Sequence, residues 1–167
     1  ERWLTAGSEL TRSLLSGDTP ADVLRSFTAT IREMADADLV TLAVPVAGTD
    51  DLVVEAAEGP LADRVRGLVL SGESTLMGKV FGSGETIVER DISHAPGAVV
   101  AGAVGPDLGS AFLLPLGTRE SIRGVLQVAN RAERPPLSDA VVRMVTGFAD
   151  HAALALEIAE RRRDAEL

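Results

Sequence analysis

The chain has no cysteine and no tyrosine, a single tryptophan and two histidines in 167 residues. Without cysteine there is no disulfide, no thiolate metal site, no cysteine nucleophile and no thiol switch. His94 and His151 are the only histidines, which excludes a three-histidine metal centre. Aromatic residues make up 3% of the chain, too few for a platform on which bases or sugars stack. Cations are in deficit as well: 16 Lys and Arg stand against 25 Asp and Glu, a formal charge of −9. Nucleic acids and anionic membranes are bound by clustered cations, so neither is an expected partner. Long apolar runs are missing too. The weakly polar stretch 95–106 is broken by Pro96, Gly97, Gly102 and Gly105, and it is short of the roughly 20 residues a spanning helix needs.

What is present reads as one domain over residues 1–167, within the roughly 100–200 residues typical of a single domain. Residues 2–15 carry Trp3, Gly7, Leu10 and Leu14 at heptad-like spacing and predict a linker helix within 1–17, ended by Gly17. Thr19, Pro20 and Asp22 are N-terminal signals for a second helix, whose apolar face is Val23, Leu24, Phe27, Ile31 and Met34. Residues 39–46 and 52–57 read as a hairpin, 61–66 as a short helix and 68–70 as a short strand. Ser74 is the expected cap of a helix through Leu76, Met77, Val80 and Phe81. A short strand at 86–88, a short helix at 99–104 and two strands at 111–116 and 122–129 follow. Ser138 is expected to cap a final helix within 138–167, with Val141, Val145, Phe148, Ala152, Leu156 and Ala159 along one seam. The order predicts an α+β fold: a central antiparallel sheet of about five to six strands, terminal helices on one face and short helices and loops on the other. Both ends fall inside helical patterns, as expected of a domain cut from a longer polypeptide.

Three stretches then resemble the GAF family over essentially the whole length. The first runs from Ser71-Gly72 through Leu76-Met77-Gly78-Lys79-Val80-Phe81-Gly82-Ser83-Gly84 to Thr86-Ile87-Val88 and Asp91. The second is the strand pair that closes with Asn130-Arg131, and the third is Leu137-Ser138-Asp139 opening an alanine-rich helix. Trp3-Leu4-Thr5-Ala6-Gly7, Leu14-Leu15-Ser16-Gly17 and Ala43-Val44-Pro45-Val46 are similar to the second GAF domain of the DevS/DosS/DosT-type sensor histidine kinases. The resemblance implies a GAF-like fold and a cytoplasmic, non-catalytic relay and dimerisation domain. Its neighbours in the same polypeptide would be another GAF domain and a kinase. A homodimer through the terminal helices would use Trp3, Leu10 and Leu14 with Val141, Val145, Phe148 and Ala152.

The family's ligands each demand residues that can be sought in this sequence. Haem needs a histidine just before the strand at 111–116, and the stretch 105–110 has none. Cyclic-nucleotide binding would use Asn130-Arg131, Leu137 and Asp139-Ala140, which keep only part of that signature. Bilin attachment and methionine sulfoxide reduction need the missing cysteine. Glu55, Glu58 and Asp91 show no spacing that splits two carboxylates into acid and base. No cofactor is therefore expected. The alternative to a relay is sensing of an unidentified small molecule in a small, apolar or partly collapsed pocket. Its candidate residues are His94, Val99 and Phe112, with few polar anchors among them.

Overall fold

The computed structural model describes residues 19–104, 107–118 and 120–166. Helix α1, Pro20–Ala35, begins where the sequence signals place it. The Thr19 hydroxyl accepts from the Asp22 amide at 3.2 Å and donates to the Asp22 carboxylate at 2.8 Å, so cap and first turn hold each other. The helix ends at Asp36, whose left-handed backbone (φ 48°) returns its N–H to the Arg32 and Glu33 carbonyls. Strands β1, Leu39–Pro45, and β2, Leu52–Glu58, form the first hairpin. A single 3-10 turn at Ala62–Arg64 and the two-residue β3, Val69–Leu70, follow. Helix α2, Leu76–Ser83, leads to β4, Ile87–Glu89, a second 3-10 turn at Ile92–His94, and α3, Val99–Val104. Strands β5, Leu108–Thr118, and β6, Ser121–Arg131, make the longest hairpin, and α4, Asp139–Glu166, completes the chain order.

The six strands form one antiparallel sheet in the order β3-β2-β1-β6-β5-β4. Its edges are only two and three residues long, which leaves little unpaired backbone for edge-to-edge association. Two apolar layers sandwich it. On one face α1 and α4 bury Phe27, Ile31, Val145, Phe148 and Ala152 against Val40, Leu42, Phe112, Leu114, Leu126 and Val128. The Phe27 and Phe148 rings meet at 5.2 Å. On the other face α2, α3 and the 3-10 turns bury Met77, Val80, Ile92, Val100 and Val104 against Leu39, Val54, Leu113, Val125 and Ala129. The expected α+β architecture is therefore present, with six strands. The linker helix expected at 2–15 lies outside the described residues.

Two local expectations are corrected. The cap of α2 is Thr75, not Ser74: its hydroxyl accepts from the Gly78 amide at 3.0 Å and donates to the Ser71 carbonyl. Strand β5 begins three residues before and ends two after the expected 111–116 (111 − 108 = 3; 118 − 116 = 2). Gly109 and Gly117 read as loop residues, yet the ladder passes both through register shifts. A Cβ on Gly109 would lie 2.7 Å from the Ala132 backbone, so glycine here permits a close crossing within the strand pair.

Candidate functional site

Side chains alternate across a strand, so parity assigns each residue to a layer. On β1, Leu39 and Ala43 belong to the layer under α2 and α3, and on β6 so do Val125 and Ala129. Thr41 and Gln127 occupy the positions between them. They are direct register partners across β1 and β6, and Gln127 also faces Leu113 of β5. Thr41 is 0% exposed and Gln127 2% exposed. Nevertheless, Thr41 Oγ1 and Gln127 Nε2 have no hydrogen-bond partner. A buried polar atom without a partner costs about 1–3 kcal/mol, and native folds keep few. Among the described residues these are the buried polar side-chain atoms left without a partner, and they belong to paired positions of two strands. The signal in the sequence was one polar residue at an inward position of each of two apolar strands, Leu39-Val40-Thr41-Leu42-Ala43 and Val125-Leu126-Gln127-Val128-Ala129.

His94, Val99 and Phe112, the residues expected at a pocket, are not brought together on this layer. Phe112 is buried, but strand parity turns it to the opposite layer, with Phe27 and Phe148. Leu113 takes the pocket-side position instead. Val99 is 43% exposed, because α3 buries Val100, Ala101 and Val104. His94 closes the 3-10 turn with its side chain 82% exposed, held by the Asp91 carboxylate at 2.7 Å. Ser93 Oγ donates to the other Asp91 oxygen at 2.6 Å. That bond, and then the bond to His94, hold the Asp91 carboxyl below the usual aspartate range. This depression keeps the turn's carboxylate contribution intact at neutral pH and loses it only as pH falls through the lowered folded-state value. Carbon-13 titration is expected to show an Asp91 midpoint below ordinary aspartate, with Ser93→Ala moving it back up. An unchanged midpoint in that variant would refute the assigned cause.

The strand-ending Asn130 has a structural task. Its Oδ1 accepts the Asp38 amide at 3.1 Å, while the Asp38 carboxylate accepts the Arg131 amide at 2.8 Å. Arg134 closes this clamp on the Asp36 carbonyl at 2.7 Å and on Asn130 and Asp38 oxygens, each at 3.3 Å. Asn130 and the Arg131 amide thus join the ends of α1 and β6. Glu55 and Glu58 lie half-buried on β2. Among the described residues no cluster of three or more His, Asp or Glu could hold a metal.

The terminal seam also changes. Val145, Phe148 and Ala152 are buried in the chain's own core, and Val141 packs partly against it. They face α1, so they are not open to a second copy. Trp3, Leu10 and Leu14 lie outside the described residues. The outward face of α4 instead carries Leu154 and Ile158, 59% and 52% exposed. Beside it a groove of about 330 Å³ runs between α4 and the end of the β5–β6 hairpin, lined by Thr118, Ser121, Arg123, Asp150, Leu154 and Glu157. Among the described residues no helix is long and apolar enough to cross a membrane.

A family model described as GAF domain matches residues 19–158. Among solved structures, the second GAF domain of DevS from Mycobacterium smegmatis superposes with a TM-score of 0.75 at 26% identity, over 88% of this chain and 99% of that one. A GAF domain of a phosphoenolpyruvate-protein phosphotransferase from Coxiella burnetii gives 0.76 at 20% identity, over 99% and 98%. Free methionine-R-sulfoxide reductase from Neisseria meningitidis, solved with its substrate, gives 0.74 at 18% identity, over 96% and 91%. The last two likenesses concern the fold alone, and this chain has no cysteine.

Proposed function

The chain belongs to the GAF family, and from that membership we propose that it is a non-catalytic relay and dimerisation domain of a sensor histidine kinase, set between an upstream sensor domain and the kinase core. The likeness to the second GAF domain of DevS supports this context. The observation that carries the reading is the outward face of α4. Ala140, Met144, Gly147, His151, Leu154 and Ile158 follow one another at four- and three-residue steps, the spacing of a two-helix seam. Met144 packs partly against the core, the other five residues of this stripe are exposed, and the helix continues past Leu156, the last core residue among those described, to Glu166. A Cβ on Gly147 would meet nothing within 4 Å, so a partner helix can approach there closely. A second copy of α4 across a two-fold axis covers the stripe, and a shift between the two helices carries the signal along their length.

Leu154→Glu places a charge at the centre of that contact and leaves the core untouched. It is expected to weaken self-association by at least about tenfold, with an unchanged thermal midpoint in dilute solution. Sedimentation equilibrium gives the first quantity and circular dichroism the second. A monomeric unmodified chain at high concentration, or a variant that dimerises as tightly, would remove the basis of the proposal.

A further inference from the structure

We infer that two copies of α4 pair antiparallel, about a two-fold axis at the level of Ala149, with Gly147 of each copy receiving His151 of the other. This rests on the reading of α4 as the face where two copies meet, and adds which way they are turned. The exposed stripe is matched in size about that level. Ala140 and Ile158 lie nine residues to either side (149 − 140 = 158 − 149 = 9), Met144 and Leu154 five, and Gly147 and His151 two. An antiparallel pair therefore sets a small residue against a large one at 140 and 158 and at 147 and 151, and two of similar size at 144 and 154. In a parallel pair each residue meets its own copy: glycine on glycine at 147, then histidine on histidine one turn on. Two straight helices keep one spacing of about 8–10 Å, which layers of even bulk fill and alternating empty and crowded layers do not. Gly147 has the room this requires, since a Cβ there would meet nothing within 4 Å.

The charges along one flank of the stripe agree. Arg143, Asp150 and Glu157 recur every seven residues, so they share that flank. About the same axis Arg143 comes level with Glu157 of the second copy, to within about 3 Å along the helix. The pair forms twice. Arg143 is exposed and has no salt-bridge partner among the described residues. Glu157 accepts from Arg161 of its own helix at 2.8 Å, and a carboxylate has acceptor sites for a second cation. The groove beside α4 lies on this flank, since Asp150, Leu154 and Glu157 line it, and it seats the aliphatic stem of the incoming arginine. Asp150 falls next to its own copy at the axis, one like-charge contact against two attractive ones. In a parallel pair Arg143 and Glu157 stay 14 residues apart (157 − 143 = 14), about 21 Å along the axis, and do not meet. In the antiparallel pair a slide that preserves the two-fold moves both helices equally, so one displacement reaches both copies.

The chain has no cysteine, so introduced cysteines are its only thiols. Ala140→Cys and Ile158→Cys place one each at exposed positions of the stripe. The two variants are mixed in a glutathione buffer, with one nitrogen-15-labelled so that mass identifies each dimer. They are expected to link to each other at least about tenfold more than either links to itself. In the antiparallel pair residue 140 lies about 27 Å along the axis from its own copy, far past the roughly 7 Å that a disulfide spans between α-carbons. Arg143→Glu and Glu157→Arg are each expected to weaken self-association roughly three- to tenfold, and the double variant to recover most of it. Asp150→Asn is expected to tighten it. Disulfides formed within each variant alone, no disulfide in a dimeric chain, a double variant no tighter than its singles, or a weaker dimer in Asp150→Asn would overturn the antiparallel pairing. Sedimentation of the unmodified chain keeps the two readings apart. A monomer removes the relay reading as well, whereas a dimer that links 140 to 140 leaves that reading standing and removes only this orientation.

Discussion

Phe148→Ala is expected to destabilise the chain by about 3–5 kcal/mol, the range for truncating a fully buried phenylalanine. The ring is 1% exposed and packs on Phe27 at a centroid distance of 5.2 Å, at the centre of the layer that α1, α4 and the sheet share. Removing it leaves a cavity in a region bounded by three elements, none of which can collapse without pulling away from the others. At this chain length each kcal/mol moves the melting midpoint by roughly 2–4 °C, so a fall of about 6–20 °C is expected. Phe148→Glu, which buries a charge at the same place, is expected to yield no folded chain. The contrast with Leu154→Glu is the informative part: on the proposed reading, one helix carries a stripe whose disruption unfolds the monomer and a stripe whose disruption only separates two monomers. Urea melts of Phe148→Ala that lose under about 1 kcal/mol, together with weaker self-association, would return Phe148 to the interface and refute the assignment to the core.

That contrast also shows what could be read from the sequence. The spacing Val141, Val145, Phe148, Ala152 and Leu156 states that one face of the last helix is covered. It does not state by what, because an apolar stripe has the same period whether it meets the chain's own α1 or a second copy. The exposed stripe through Gly147, His151 and Leu154 was harder to see, since its small and polar members carry little hydrophobic signal. Strand parity failed for a related reason. Residues 111–116 are apolar on both faces because both faces are buried, so alternation could not tell Phe112 from Leu113. The α+β order, the hairpins, the caps at Thr19 and Ser138 and the bounds of α3 were all legible, since each rests on local chemistry. The hydrogen bond from the Val141 amide to Ser138 Oγ, at 3.2 Å, is one example. Thr41 and Gln127 lie 86 residues apart (127 − 41 = 86), and only strand pairing brings them together.

The glycine motif at 72–84 gives the second large effect, and its sign is opposite to the one helix propensity predicts. Glycine inside a helix is normally about 1 kcal/mol worse than alanine, so Gly→Ala in α2 ought to stabilise. Gly82 obeys that rule: a Cβ there meets nothing within 4 Å, and Gly82→Ala is expected to raise the melting midpoint by roughly 3 °C. Gly78 does not. A Cβ at 78 would lie 2.4 Å from the Gly72 carbonyl oxygen and 2.7 Å from the Gly72 Cα and carbonyl carbon, all backbone atoms. Gly72 cannot simply retreat, because its own α-carbon already faces the Asp50 carbonyl so closely that a Cβ on it would come within 2.1 Å of that oxygen. The Gly78 amide is further tied to Thr75 Oγ1, so the start of α2 is held from both sides. Overpacking of this kind costs about 1–3 kcal/mol and occasionally more, enough to outweigh the propensity gain, and Gly78→Ala is expected to be destabilised by about 2 kcal/mol. The displaced element would be the helix whose Met77 and Val80 cover the layer that holds Thr41 and Gln127. The same variant should therefore disturb the Gln127 side-chain amide resonance, while Gly82→Ala leaves it in place. If both alanine variants melt higher than the unmodified chain, the backbones at 72 and 78 can separate freely, and the motif owes its glycines to something other than their close approach.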